Sequence, residues 1–228
     1  MSGEALALVR LLQLASPTLP IGAYSYSQGL EWVIANGTVC DATSAERWIG
    51  DLLEHVIARG EAAVAWRLLS AAQAAQWTTY GQWNAWFRAS RETAELRAET
   101  EQMGGSLIKL ALDLVLLDGP AREALVAFEP ITLPGAYALT ARGLGITAEP
   151  ALIGYVWAWL ENQVMASMKA VPLGQVAGQR LLHGLGARIP AVITTARSVS
   201  DDDVSSFALG LALASAKHET QYTRLFRS

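Results

Sequence analysis

Apolar residues recur at three- and four-residue steps along most of the chain, which is the spacing of one face of an α-helix. The clearest examples lie within residues 48–57 and 61–75, and residues 151–170 are apolar nearly all round, which predicts a central helix. No stretch shows the strict alternation of β-branched residues that predicts a strand. The pattern therefore predicts an all-α, single-domain helical bundle of about eight to ten helices of ordinary length.

Local signals refine the first half of the bundle. Residues 5–14 are apolar on almost every side, so we expect this first helix to be buried. Thr43 and Glu46 have the spacing of a capping box and predict the start of the next long helix. Two glycines, Gly104 and Gly105, interrupt a long helical pattern, and they require either a kink or a close helix contact.

Charged residues concentrate in the segment 88–101. Several oppositely charged pairs have helical i,i+4 spacing, including Arg88 with Glu92 and Arg91 with Glu95. We therefore expect a solvated helix face rather than a pair of carboxylates in an apolar pocket, which acid–base catalysis would need.

Residues 14–31 are poor helix formers and predict an ordered loop. Pro17 and Pro20 fix φ, and Gly22 permits a left-handed turn. The loop also presents polar side chains just before a helix resumes, which favours a functional surface. The alternative is a plain helix–helix connection whose tyrosines fill the edge of the core. The polar side chains in question are Tyr24, Tyr26, Gln28 and Glu31.

The end of the sequence is also unusual. Ser200 and the three aspartates after it predict the N-terminus of a helix over 204–217, and the helical pattern fades beyond Lys217. We therefore divide the chain into an all-α domain, 1–216, and a C-terminal segment, 217–228, which we call the tail. A frayed end is one interpretation. The other is a segment ordered by a partner, which would use Tyr222, Arg224, Leu225 and Phe226.

Composition narrows the class of function. The 228 residues are 52% hydrophobic and only 17% charged, so large apolar patches for binding partners are expected. A net charge of −4 argues against nucleic acid or an anionic membrane as partner. The single cysteine, Cys40, fits a reducing cytoplasm. We expect neither a secretory signal nor a segment long enough to cross a membrane.

Recognisable catalytic motifs are missing. The sequence has no glycine-rich phosphate loop, and its three histidines form no zinc motif. The adjacent pair His218 and Glu219 is weak grounds for a metal site. A binding protein is therefore favoured over an enzyme, and we expect no catalytic residues. The alternative is a helical enzyme or carrier that binds a small molecule or cofactor in its Trp-rich interior.

Four segments together resemble the UreF family of urease accessory proteins, and the resemblance runs the whole length of the chain. A family member would be an all-α, dimeric, cytoplasmic protein without enzymatic activity. The segments occur in the family's order: SPTLPIGAYSYSQGLE at 16–31, SRETAELR at 90–97, KAVPLGQ at 169–175 and KHETQYTRLFRS at 217–228.

The resemblance also implies partners. Members of this family join UreD (UreH in some organisms) and the nickel-carrying GTPase UreG in a complex that activates apo-urease. The implied role is to bridge these two proteins, regulate GTP hydrolysis by UreG and assist nickel delivery. The complex, rather than this chain, would handle nickel, so no stably bound cofactor and no metal-binding residue is expected.

Three residues match the family's motif positions: Tyr24, Lys169 and Arg224. The resemblance implicates them in ordering the tail against the loop when a partner binds. We expect UreD to bring Arg224 beside the Tyr24 loop and Lys169 to hold a loop carboxylate, for which Glu31 is the candidate. A further hypothesis makes Arg224 an arginine finger in the GTPase site.

Overall fold

The computed structural model describes residues 2–228, and within them the chain is helical without any strand. A π-helical segment, Leu52–Glu61, joins α3 to α4 without a break. If this continuous rod is counted once, the described residues form ten helices of nine or more residues and the short α2. The predicted all-α, single-domain fold is confirmed. The helices are α1 Ser2–Leu14, α2 Leu30–Ala35, α3 Ala42–Asp51, α4 Ala62–Gln73, α5 Trp77–Ala89, α6 Ala94–Asp113, α7 Gly119–Ala127, α8 Leu133–Gly143, α9 Ala148–Ala170, α10 Gln175–Gly186, α11 Ile189–Ser198 and α12 Leu209–His218.

Helix α9 is the centre of the bundle. It packs against α1, α2, α3, α4, α8, α10 and α11, so nearly every side of it is covered by another helix. Leu152, Val156, Leu160 and Val164 are completely buried along it. The apolar residues on all sides of α9 are therefore buried by neighbouring helices, and the central position that the sequence predicted for this helix is confirmed.

The two glycines of α6 have different roles. A Cβ at Gly104 would lie 2.4 Å from the carbonyl oxygen of Ile131, so the glycine allows the start of α8 to approach closely. A Cβ at Gly105 would meet nothing within 4 Å. Helix α6 continues through both positions, which means that close contact explains Gly104 and leaves Gly105 without a packing role.

The prediction that the first helix is buried is wrong. Helix α1 lies on the outside of the bundle and contacts α9, with Leu14 buried at its end and Leu11 packed partly against the core. Its remaining apolar side chains face away from the protein because no second layer of helices covers them. They are Leu6, Leu8, Val9 and Leu12, with exposures of 49–64%.

Two predicted helix starts are also wrong. Helix α3 begins at Ala42 because the carboxylate of Asp41 accepts the amide of Ser44, so Asp41, and not Thr43, is the N-cap. The last helix begins at Leu209. Before it, the aspartates form a short 3₁₀ turn and residues 204–208 have no regular secondary structure, because the amide of Ser205 donates to the Arg59 carbonyl of the π-helical segment.

The expectation of one solvated helix over 88–101 is wrong as well. Helix α5 ends at Ala89 and α6 begins at Ala94, so Arg88 and Glu92 do not share a helix, and neither do Arg91 and Glu95. Arg88 instead pairs with Glu101 across the break, at 2.6 Å. Arg91 is buried and contacts Glu61 at 3.4 Å. This segment therefore brings charged groups into the interior.

Candidate functional site at the loop and the tail

The tail returns to lie beside the N-terminal loop. The amide of Ser27 donates to the carbonyl of Ser228, and the amide of Arg227 donates to the carbonyl of Ser25, each at 2.8 Å. Gly29 has a φ of +78°, and a Cβ there would lie 2.9 Å from the amide nitrogen of Ser215. The loop can therefore approach α12 closely only because this position is a glycine.

Glu31 binds the backbone of the tail. Its carboxylate accepts the amide of Leu225 at 2.6 Å and the amide of Phe226 at 3.0 Å, one at each oxygen. The side chain is buried in the first turn of α2, where the helix dipole favours a negative charge. Glu31 thus satisfies two backbone donors of a segment that has no secondary structure of its own.

A completely buried histidine lies between two helices at the base of the tail. His218 Nε2 lies 3.2 Å from Glu31 on α2, and Nδ1 lies 2.7 Å from Glu95 on α6. Arg224 binds the other oxygen of Glu95 at 2.5 Å. These four side chains form one connected cluster of two acids and two bases that joins α2, α6, α12 and the tail.

A third carboxylate binds the end of the tail. The hydroxyl of Ser228 donates to one carboxylate oxygen of Glu99 at 2.6 Å, and the side-chain amide of Gln28 donates to the other at 2.8 Å. Burial raises the pKa of Glu99 to about 7, although both hydrogen bonds lower that pKa in part. The sequence predicted that carboxylates of this segment would be in water. For Glu99 that prediction is wrong.

Behind Gln28 and Glu99 lies a cavity of about 90 Å³. Tyr155 donates to Glu61 inside it at 2.6 Å, and burial with the nearby Glu61 raises the pKa of Tyr155. The Arg91 Nε and the Tyr137 hydroxyl, both buried, have no hydrogen-bond partner there. In the described part of the chain, Trp159 is the one tryptophan in the wall, so the prediction of a Trp-rich pocket is wrong.

The structure places Lys169 differently from the prediction. Its Nζ lies 3.4 Å from the Tyr24 carbonyl oxygen, and it stands 5.5 Å from the centre of the Tyr24 ring and 5.6 Å from that of Phe226. The predicted contact with Glu31 is wrong, because backbone amides and His218 occupy that carboxylate. Lys169 thus joins the loop to the tail through aromatic rings.

The predicted site residues occupy both the inside and the outside of this region. Phe226, Gln28 and Glu31 face inward, with Trp159 donating to Gln28 at 2.8 Å. The outward-facing members are Tyr24, Tyr222, Arg224 and Leu225. Sequence reasoning missed Glu95, Glu99, His218 and Ser228 as part of the site, because their partners are distant in the sequence and no local spacing indicates them.

A family model described as UreF matches residues 39–186. The chain is 54% identical to the urease accessory protein UreF of Azoarcus sp. (strain BH72), over 100% of this chain and 98% of the relative. The chain belongs to the UreF family. The UreF of Janthinobacterium sp. (strain Marseille) is 51% identical over 99% of this chain and 100% of its own length, and that of Dechloromonas aromatica (strain RCB) is 49% identical over 98% of each.

The loop and the tail both lie outside the residues matched by the UreF model, but within the span of these full-length UreF relatives. The relatives are named accessory proteins rather than enzymes, which confirms the expectation of a non-enzyme. Among residues 2–228, we find no helix that is long and apolar enough to cross a membrane. The same residues contain no group of three or more acidic, His or Cys side chains that could hold a metal ion.

Proposed function

We propose that this UreF family member bridges UreD (UreH) and the GTPase UreG in the cytoplasmic complex that activates apo-urease. In this proposal the chain forms a homodimer, regulates GTP hydrolysis by UreG and assists nickel delivery. It makes and breaks no bond itself. The complex handles nickel, and this chain holds no stable cofactor.

The observation that carries the proposal is the meeting of loop and tail on one surface. Tyr24 from the loop is 61% exposed, and Tyr222 and Leu225 from the tail are 102% and 72% exposed. Exposed aromatic and apolar side chains on an ordered backbone are what a protein-binding surface offers. Glu31 binds the backbone beneath them, and Glu99 binds the side chains of Ser228 and Gln28, so the surface exists only while the tail is bound.

The resemblance implied that UreD orders the tail. In the structure of the single chain the tail is already seated, and its backbone is bound by Glu31. The part that a partner plays stays a prediction. We propose that UreD binds the exposed side of the seated tail and favours that arrangement over alternatives, and that UreG then binds the combined surface.

An Arg224→Ala variant tests the proposal. Arg224 is partly exposed, so water can take its place beside the outer oxygen of Glu95, which it cannot do for the buried His218, and the loss in stability should be about 1 kcal/mol or less. Co-expressed with UreD and UreG, the variant should give less of the ternary complex in size-exclusion chromatography. Arg47→Ala, an exposed arginine of α3, is the matched control and should leave the complex intact.

The result that contradicts the proposal is a large fall in melting temperature together with undiminished complex formation. Arg224 would then stabilise the fold rather than bind a partner. A GTP hydrolysis assay with the complex and with free UreG tests the arginine-finger hypothesis separately, because such a residue contributes about 10³-fold or more to the rate.

The cavity favours a second function, the binding of a small molecule. Two buried donors, Arg91 Nε and the Tyr137 hydroxyl, lack partners in its wall, and buried polar groups normally have them. Native mass spectrometry of the chain purified alone tests this idea. A molecule that co-purifies in stoichiometric amount would support small-molecule binding. A mass equal to that of the chain alone would contradict it and leave the accessory function as the proposal.

A further inference from the structure

We propose that His218 is a positioning residue and that both of its ring nitrogens carry a proton when the tail is closed on the bundle. The closed state then binds one proton more than the open state. The proposal concerns the chain by itself and does not depend on which proteins bind it. It rests on how four charged side chains are arranged at the base of the tail.

Both ring nitrogens of His218 face carboxylate oxygens. Nε2 lies 3.2 Å from Glu31 and Nδ1 lies 2.7 Å from Glu95. An ionised carboxylate only accepts hydrogen bonds, and a neutral imidazole has only one N–H. Both contacts are therefore hydrogen bonds only if His218 is an imidazolium or if one of the acids is protonated.

The other partners of the two acids favour their ionised forms. Glu31 already accepts the amides of Leu225 and Phe226, one at each oxygen. Glu95 accepts Arg224 at its second oxygen, and a guanidinium keeps its charge throughout the pH range in which proteins stay folded. Hydrogen bonds and a cation both stabilise a carboxylate as the anion, so the shared proton belongs on His218.

The remaining groups near His218 do not change this balance. Lys217 and Glu219, its chain neighbours, are exposed, and a Glu219 oxygen accepts the amide of Glu95 at 3.2 Å. On the side of α6, the hydroxyls of Thr93 and Ser215 bind each other at 2.7 Å. The cluster thus contains two negative charges, from Glu31 and Glu95, and two positive charges, from His218 and Arg224.

Loss of the proton would leave a lone pair of His218 facing the carboxylate of Glu31 or Glu95. The buried cluster would then have one more negative charge than positive charges. Such a charge is costly unless water reaches it. Water can reach Glu31 when Leu225 and Phe226 leave it. A rise in pH that removes this proton should therefore open the tail.

The charge state can be measured on the full chain labelled with ¹⁵N. The ring nitrogens of His218 should both show shifts of protonated nitrogen at pH 6. Hydrogen exchange of the Leu225 and Phe226 amides, corrected for intrinsic rates, should show a constant protection at low pH. At higher pH, where opening of the tail releases the proton, the equilibrium constant for opening should rise by up to about tenfold per pH unit. This is the slope for the release of one proton.

Three variants complete the test. His218→Gln should show weak, pH-independent protection of these two amides, whereas His183→Gln, at an exposed histidine of α10, should behave as the wild type. Glu99 also titrates near neutral pH and binds Ser228, so Glu99→Gln is included. It should preserve the pH profile at Leu225 and Phe226.

The proposal is overturned if the ring of His218 is neutral while both amides are protected. It is also overturned if protection is the same at pH 6 and pH 9, or if His218→Gln keeps the wild-type profile. If His218→Gln does not fold, the ring shifts and the pH series of the wild type decide the question alone.

Discussion

Glu99 shows how the environment of one residue can alter the pH dependence of the whole protein. Its ordinary pKa of 4.5 is raised to about 7 by burial, so the folded state favours the neutral acid. The stabilising contribution of Glu99 is thus fully present below pH 4.5 and is lost as the pH rises through 7. At about 1.4 kcal/mol per pKa unit, the loss is at most about 3 kcal/mol.

Glu99→Gln should remove this dependence. The unfolding free energy of the variant, relative to the wild type, should rise between pH 5 and pH 8, as measured by urea titration at each pH. Glu92→Gln, at an exposed position just before α6, should give a difference that does not change with pH. Parallel curves for wild type and Glu99→Gln would show that Glu99 is ionised in the folded protein.

Val115 has an unfavourable backbone conformation. Its φ is +56°, in the left-handed region that a β-branched residue rarely adopts, at the end of α6. Because its side chain is 76% exposed, packing does not compensate. Val115→Gly should raise the unfolding free energy by about 1 kcal/mol.

The matched control for this prediction is Val126→Gly. Val126 is 77% exposed but lies in the last turn of helix α7, where glycine should lower the unfolding free energy by up to about 1 kcal/mol. If both substitutions destabilise the protein in thermal unfolding, the conformation of Val115 is not strained.

At the residue scale, the sequence identified some of the site. Tyr24, Lys169 and Arg224 were singled out because they match a family motif, and the structure places all three at the junction of loop and tail. His218 could not be recognised in this way. Its partners are 123 and 187 residues away, so only the packing of three helices brings them together.

At the element scale, the two glycines of α6 give a paired prediction. Gly104→Ala places a methyl group against the Ile131 carbonyl and should lower the unfolding free energy by about 1–3 kcal/mol, as overpacking does. Gly105→Ala meets no atom and should raise it by about 1 kcal/mol through helix propensity. Equal effects in urea titration would mean that α8 can shift away from α6.

Helical elements were predictable where their periodicity was complete. Helix α9 is apolar all round, and a central position is the one that buries such a surface. The same expectation was wrong for α1, because a short apolar helix carries no sign of how many neighbours it has. Residues 204–208 were wrongly predicted to be helical for another reason. The amide of Ser205 donates to the distant carbonyl of Arg59 and not to a carbonyl one helical turn before it.

For the whole molecule, the tail should depend on Phe226 more than on its exposed neighbours. Phe226 is 6% exposed and belongs to the core, whereas Tyr222 is fully exposed. Phe226→Ala should cost about 3 kcal/mol of packing, which should release the tail from the bundle. Trypsin should then cleave after Arg224 sooner than in the wild type, as followed by mass spectrometry.

Tyr222→Ala is the control for tail release and should leave the rate of cleavage unchanged. Identical cleavage of the Phe226→Ala and Tyr222→Ala variants would mean that packing of Phe226 does not hold the tail. The assay needs no partner protein, so its result is independent of the proposed complex.

Glu31 and the Leu225 amide that it accepts are 194 residues apart. During translation this carboxylate therefore emerges long before its donor, and the contact can form only after the intervening residues have been made. A product cut between Glu31 and Leu225 would have one half of this contact without the other. Such a fragment would lack the surface that the loop and the tail form together.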